Sequence, residues 1–164
     1  MHNIILASKS KVRKKILEKN LINCVAEPSN VDEETVKNSL LKEGATPELI
    51  SKSLAELKAN KVSQRKNEEL ILGADSVIDL EGELISKPTC RADAMKILKK
   101  LNGKKHHLIS SVCISKNGSM IWNYTDKAEL TMKHMSEKNL EEYLSKISDE
   151  ALYAYNVYQI EGEG

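Results

Sequence analysis

The chain has 164 residues, which is long enough for one domain with a substantial core and short for two. Apolar residues make up 40% and charged residues 30%, a balance typical of soluble globular proteins and not of disordered ones. With 25 basic and 24 acidic residues the net charge is +1, which argues against a nucleic-acid-binding surface. No apolar run approaches the length of a membrane span or a signal sequence, so we expect a cytoplasmic protein without a membrane partner.

The N-terminal region predicts a strand, a helix and a second strand. Residues 3–7 form a short apolar run, and the amphipathic pattern of residues 11–19 predicts a helix. Ser10 directly precedes this helix and is a residue type that caps helix N-termini. We predict a second strand over residues 21–26, followed by an acidic polar loop that contains Glu33.

A long helix and a central strand come next. Residues 46–48 (Thr-Pro-Glu) are a typical helix start, with a cap, a proline in the first turn and an acid. The predicted apolar face of this helix consists of Ile50, Leu54, Leu57 and Val62. Lys58 lies at the border of that face, where it could reach out to solvent or point inward at a phosphate. Residues 70–73 predict a buried strand, with Asp75 just after its end.

The C-terminal half combines hairpins with helices. The patterns first predict a hairpin with its turn at residues 81–82 and then a helix over residues 91–101, capped by Thr89. A second hairpin is predicted over residues 107–124, with its turn at residues 117–118. A strand over residues 128–132 and a helix that begins at Ser136 follow. Parallel and antiparallel connections are both required. We therefore predict one α/β domain, residues 1–164, with a mixed sheet and flanking helices. This domain could consist of two lobes that flank a cleft.

Asp75 is the first candidate for chemistry. It follows an apolar strand, and Lys87 comes after the next tight turn. Carboxylate oxygen is the ligand that Mg²⁺ prefers, and a lysine can offset phosphate charge, so the pair suits a metal-assisted phosphate site. The structural alternative is that such an aspartate forms a turn or caps a helix. Glu33 could supply a second carboxylate, or it could be an exposed loop residue.

The loop before the first helix is the second candidate. A helix N-terminus offers free backbone N–H groups and a positive dipole end, which favour an anion. Ser8, Ser10 and Arg13 fall within reach of such a site. The alternative is a capped surface helix with solvated lysines. The chain contains neither the P-loop nor the dinucleotide-binding glycine motif.

Several short motifs, in order along nearly the whole chain, resemble the Maf family of nucleoside triphosphate pyrophosphatases. They are residues 6–13 (LASKSKVR), 54–59 (LAELKA), 73–77 (GADSV), 86–88 (SKP) and 157–164 (VYQIEGEG), together with the spaced positions Ala94, Leu98, Leu101, Gly103 and His106. The resemblance implies an elongated α/β fold similar to that of the inosine-triphosphate pyrophosphatases, with a central cleft. It also implies that family members continue past residue 164 with a further strand and helix.

The resemblance further implies an activity and its residues. Members of the family convert a nucleoside triphosphate and water to the monophosphate and pyrophosphate with a divalent cation, Mg²⁺ or Mn²⁺, and a homodimer is expected. Asp75 would be the general base and a metal ligand, and Glu33 would assist with metal or water. The residues implied to hold the substrate are Ser8, Ser10, Arg13, Lys58 and Lys87.

The base specificity stays open at this point. The family's proline and first arginine are replaced by Lys11 and Val12. The positions that distinguish subgroups correspond to Val12, Ser76 and Glu161. Ser76 is close to the threonine of the group that hydrolyses dTTP and UTP, whereas Glu161 matches the acidic residue of the 7-methyl-GTP group. A nucleotide-binding regulator of septum formation with little turnover is the alternative function.

Overall fold

Residues 3–158, which a computed structural model describes, form a six-stranded sheet with helices packed against it. In chain order the elements are β1 (Ile4–Leu6), α1 (Lys11–Lys19), β2 (Cys24–Ala26), α2 (Glu33–Lys42), α3 (Pro47–Ser63), β3 (Leu70–Leu80), β4 (Glu83–Ile85), α4 (Arg91–Leu101), β5 (Lys105–Lys116), β6 (Ser119–Thr131), α5 (Glu137–Lys146) and α6 (Asp149–Tyr155).

The sheet is mixed, as predicted. Its strand order is β2-β1-β3-β5-β6, with β4 paired to β3. The strand β1 pairs in parallel with β2 on one side and β3 on the other, so that Leu6 lies opposite both Ala26 and Leu72. The short β4 pairs with β3 antiparallel. None of the helices among the described residues is long and apolar enough to cross a membrane.

The chain divides into two compact units. The first contains residues up to Val77 and residues 109–127, and the second contains residues 78–108 together with those from Ala128 onward. The candidate site residues near the first helix, together with Glu33, Lys58 and Asp75, belong to the first unit. Lys87 belongs to the second.

The core of the first unit depends on a close approach between β3 and α3. Ala59 and Val62 of α3 pack with Ile71 of β3, and all three side chains are fully buried. Gly73 makes this approach possible, since a Cβ there would lie 2.2 Å from the carbonyl oxygen of Ala55 and 2.8 Å from the Cβ of Ala59. The glycine is needed for space, which lets the helix backbone lie directly on the strand.

The core of the second unit is aliphatic with one polar pair. Leu98, Leu101 and Leu140 are among its buried members. His106 is also buried, and its Nε2 lies 2.9 Å from the hydroxyl of Tyr158. Burial lowers the pKa of His106 and raises that of Tyr158 to about 12. Both groups are therefore held in their neutral forms.

Several sequence predictions need correction. The strand predicted over residues 70–73 continues to Leu80, and the strand predicted over residues 128–132 is the end of the long β6. Thr89 does not cap α4; Cys90 occupies that position without a side-chain bond, and the Thr89 hydroxyl donates to Asp93. Helices α2 and α6 were not predicted.

The three cysteines differ in burial. Cys113 is buried, whereas Cys24 is partly exposed and Cys90 is exposed. None of them forms a disulfide among the described residues.

Substituting Gly73 with alanine should destabilise the protein. The added Cβ meets backbone atoms of α3 that cannot move independently, so we expect the free energy of unfolding to fall by about 1–3 kcal/mol. Ser76→Ala, at an exposed position of the same strand, should change it by less than about 0.5 kcal/mol. Urea denaturation measures both values. Equal stability of Gly73→Ala and wild type would contradict the packing described.

The pH dependence of stability should depend on His106. Its folded pKa is depressed, so the unfolded chain takes up a proton near the ordinary histidine value while the folded chain does not. Its contribution to stability is therefore complete above that value and is lost as pH falls toward the folded pKa. We expect the free energy of unfolding to decrease from about pH 7.5 to about pH 5.5. His106→Gln should reduce that decrease, and an unchanged slope in this variant would refute the assignment.

Candidate active site

A buried lysine joins three elements of the first unit. Lys58 of α3 is 5% exposed. Its Nζ lies 2.7 Å from Oε1 of Glu33 and 3.0 Å from Oδ1 of Asp75. The two carboxylates, one from α2 and one from β3, therefore converge on a single ammonium group. Of the two placements left open by the sequence, Lys58 takes the inward one.

The spacing along α3 explains this placement. Leu54, Lys58 and Val62 follow one another at intervals of four, so all three lie on the buried side of the helix. Leu57, which was predicted to belong to the apolar face, is 37% exposed. That prediction was wrong because the lysine is a member of the buried stripe, where its charge is offset by the two carboxylates.

Asp75 lies inside β3 and not after its end, which corrects the sequence prediction. Side chains alternate along a strand, so Asp75 shares with Gly73 the face that α3 covers, and it is only 8% exposed. The hydroxyl of Ser51, also on α3, donates to the backbone oxygen of Asp75 at 3.2 Å. Helix α3 thus contacts Asp75 twice, at its backbone oxygen through Ser51 and at its carboxylate through Lys58.

Burial dominates the electrostatics of Asp75. Loss of solvation raises the pKa of this carboxyl, and the charge of Glu33 acts in the same direction. Lys58 and Arg13 oppose the increase. One oxygen, Oδ1, is bonded to Lys58, whereas Oδ2 is buried and has no hydrogen-bond partner among the described residues. The second oxygen is therefore available to accept a proton or to bind a cation.

Glu33 lies at the start of a helix, which corrects its prediction as a loop residue. It is the first residue of α2, and the Asp32 side chain caps this helix by accepting from the backbone N–H of Thr35. The signal was present in the sequence as a cap residue, acids in the first turn, a basic last turn and a following glycine. The Glu33 side chain is 48% exposed, so this carboxylate is accessible from solvent.

The N-terminus of α1 brings together the predicted serines and arginine. Ser8 Oγ accepts from the backbone N–H of Ser10 at 3.1 Å and from Nη1 of Arg13 at 3.3 Å. Ser10 caps the helix as predicted, because its Oγ accepts from the backbone N–H of Arg13. The first turn of α1 has no acidic residue, so the local charge there is positive.

The remaining predicted residues have other locations. Val12 is partly buried in the first turn of α1, and Ser76 is exposed in β3 on the face opposite Asp75. Lys87 is exposed in the loop after β4, within the second unit. Glu161 lies outside the described residues.

Two contacts were not anticipated. Ser51 is a small polar residue on the buried face of α3, seven positions before Lys58, and this spacing could have indicated its proximity to the site. The Oγ of Ser110 lies 3.1 Å from that of Ser76. The latter contact depends on the register between β3 and β5, which a single sequence does not specify.

The donor set fits a divalent cation that is shared with a substrate. Asp75 and Glu33 supply carboxylate oxygens, and Asp75 Oδ2 is unpaired within the described residues. Residues 3–158 hold no cluster of three or more His, Cys, Asp or Glu side chains suited to a metal. Magnesium is commonly bound by one or two carboxylates together with water and substrate phosphates, so this pair suffices when a phosphate completes the coordination.

Comparison with known proteins adds a family context. The family model described as Maf-like protein matches residues 3–164. The chain is 72% identical over 161 residues to a nucleoside triphosphate pyrophosphatase of Pelagibacter ubique, covering 98% of this chain and 83% of the relative. It is 36% identical over 161 residues to a 7-methyl-GTP pyrophosphatase of Rhizobium etli, covering 98% and 81%. Among solved structures, the Ham1 protein of Staphylococcus aureus is similar with a TM-score of 0.49 at 15% identity, over 79% of this chain and 70% of that one.

Proposed function

Because the chain belongs to the Maf family, we propose that it hydrolyses a nucleoside triphosphate to the monophosphate and pyrophosphate. The observation that carries the proposal is the convergence of Glu33 and Asp75 on the buried Lys58, in the same unit as the helix N-terminus formed by Ser8, Ser10 and Arg13. The relative that is 72% identical bears the name of this activity.

The phosphates would bind at the N-terminus of α1. Backbone N–H groups and the helix dipole favour an anion there, and the Arg13 guanidinium adds a charged donor. Ser8 keeps that guanidinium in place through its hydrogen bond. Lys58 and Lys87 are the further cations that we assign to the triphosphate, on the family resemblance.

Asp75 is suited to act as the general base. Its Oδ2 is buried next to the proposed phosphate site and has no partner among the described residues, so this oxygen is placed to take a proton. Water would attack the α-phosphorus as its proton passes to Asp75. The bond from phosphorus to the bridging oxygen would then break, and pyrophosphate would leave.

Asp75 and Glu33 are the residues that would hold Mg²⁺ or Mn²⁺. Such an ion, when bound, offsets negative charge on the phosphates and on the leaving group. The protein's own contribution would be to position the carboxylates on a strand and a helix, and Arg13 would contact the same phosphates.

The preferred nucleobase of the substrate is left with two candidates. Ser76 is close to the threonine of the dTTP/UTP group, whereas Glu161 matches the acidic residue of the 7-methyl-GTP group. Relatives named nucleoside triphosphate pyrophosphatase and 7-methyl-GTP pyrophosphatase both match this chain. We propose 7-methyl-GTP and dTTP/UTP as candidate substrates. A cytoplasmic location and a homodimer stay predictions.

A substrate panel tests the proposed activity. Pyrophosphate release is measured with dTTP, UTP, CTP, 7-methyl-GTP and ITP in the presence of Mg²⁺ or Mn²⁺. We expect turnover of at least one candidate substrate, with pyrophosphate and the monophosphate in equal amounts. Tight binding without turnover would instead support a nucleotide-binding regulator and would reject the hydrolase.

Replacing the general base should abolish turnover. Asp75→Asn keeps the shape of the side chain and cannot accept the proton, so we expect kcat to fall by about 10²–10⁴. Asp79→Asn is the control, because Asp79 lies in the same strand and its carboxylate accepts from the backbone N–H of Gly82 in the turn, away from Lys58. A kcat for Asp75→Asn within about threefold of wild type would exclude the proposed role.

Removing divalent cations should stop the reaction. Excess EDTA is expected to abolish pyrophosphate release, and added Mg²⁺ or Mn²⁺ should restore it, because two carboxylates and a polyphosphate require a cation to share one site. Full activity in EDTA would show that the basic side chains alone support the chemistry.

A further inference from the structure

The Lys58 ammonium lies between the carboxylates of Glu33 and Asp75 and contacts one oxygen of each. It has three N–H donors, and Glu33 and Asp75 accept from it at 2.7 Å and 3.0 Å. The lysine side chain is 6% exposed and that of Asp75 is 11% exposed. A cation that binds the two oxygens now bonded to Lys58, Glu33 Oε1 and Asp75 Oδ1, would therefore have to lie where the ammonium lies.

The charges around Lys58 make the ammonium necessary while no other cation is present. Two neighbouring carboxylates repel each other, and the charge of Glu33 raises the pKa of the buried Asp75. The lysine offsets this repulsion and keeps the two side chains together. A divalent cation bound between the carboxylates would offset the same repulsion with two positive charges instead of one.

We propose that Lys58 is a built-in competitor for the divalent cation: its ammonium holds Asp75 and Glu33 in the nucleotide-free protein and is displaced when the cation binds. This inference rests on the proposed function. The displaced ammonium then has the substrate phosphates as its partner. Lys58 is thus a positioning residue for the carboxylates before it is a substrate ligand.

The competition couples the metal to the nucleotide. Without a triphosphate, a cation that displaces Lys58 leaves a buried ammonium without its acceptors, which is costly. A bound triphosphate supplies new acceptors and removes that cost. The protein should therefore bind Mg²⁺ or Mn²⁺ weakly alone and much more tightly together with the nucleotide, and the coupling must be reciprocal.

Manganese binding to the full chain without nucleotide tests the competition. Lys58→Met keeps the length of the apolar stem and removes the charge, so we expect it to bind Mn²⁺ at least about tenfold more tightly than wild type, as measured by the electron paramagnetic resonance of free Mn²⁺. Lys58→Arg keeps a cation and should bind no more tightly than wild type. Lys61→Met is the matched control on the same helix, since Lys61 Nζ donates to the backbone oxygen of Asn30, and it should not change Mn²⁺ affinity.

Two results would overturn the proposal. One is a Lys58→Met variant, folded by circular dichroism, whose Mn²⁺ affinity equals or falls below that of wild type, as expected if Lys58 were only a phosphate ligand. Should this variant not fold, the wild-type ammonium signal of Lys58 in a nitrogen-15 NMR titration with Mg²⁺ decides. Displacement requires that this signal shifts as Mg²⁺ saturates the protein, and a signal that does not change is the second contrary result.

The Mn²⁺-binding and turnover measurements together distinguish a failure of this proposal from a failure of the proposed hydrolysis. If turnover is absent from every nucleotide tested while Lys58→Met still binds Mn²⁺ more tightly, the competition stands and the activity fails. If turnover is present and Mn²⁺ affinity does not depend on the charge at position 58, the activity stands and the competition fails.

Discussion

The buried ion cluster around Lys58 is the interaction on which the site depends. It ties α3 to α2 through Glu33 and to β3 through Asp75. Lys58 and Asp75 are both buried, so removal of one of these two partners should cost about 3–5 kcal/mol, because a charge is left without its counter-ion, whereas solvent weakens the contribution of the half-exposed Glu33. The cluster therefore both locates the carboxylates and requires that some cation stays between them.

Close packing between α3 and β3 makes the cluster geometrically possible. Gly73 lets the backbone of the helix lie against the strand near Ala55 and Ala59. Asp75 follows two residues later on the same face of the strand, and Lys58 lies beside Ala59 on the helix. A side chain at position 73 would move the helix outward, and the ammonium would no longer reach the carboxylate. The ion pair of the candidate site thus depends on the close apolar packing between α3 and β3.

Local signals in the sequence predicted the elements whose ends are set by single residues. The helix α1 has its predicted bounds because Ser10 caps it, and the turn at Asn117 and Gly118 has the positive φ angles that those residues allow. The sequence left the direction of Lys58 open and placed Asp75 after the end of its strand. Both positions depend on which charged side chains come together after folding, and a single sequence does not specify this. The partner of Ser76 depends on strand register in the same way.

A crystal structure with Mn²⁺ and a non-hydrolysable triphosphate analogue tests the central claim most directly. Anomalous scattering would locate the metal, which should lie within bonding distance of carboxylate oxygens of Asp75 and Glu33, with Lys58 Nζ turned to a phosphate oxygen. A metal and triphosphate bound away from these carboxylates, with Lys58 still between them, would contradict it.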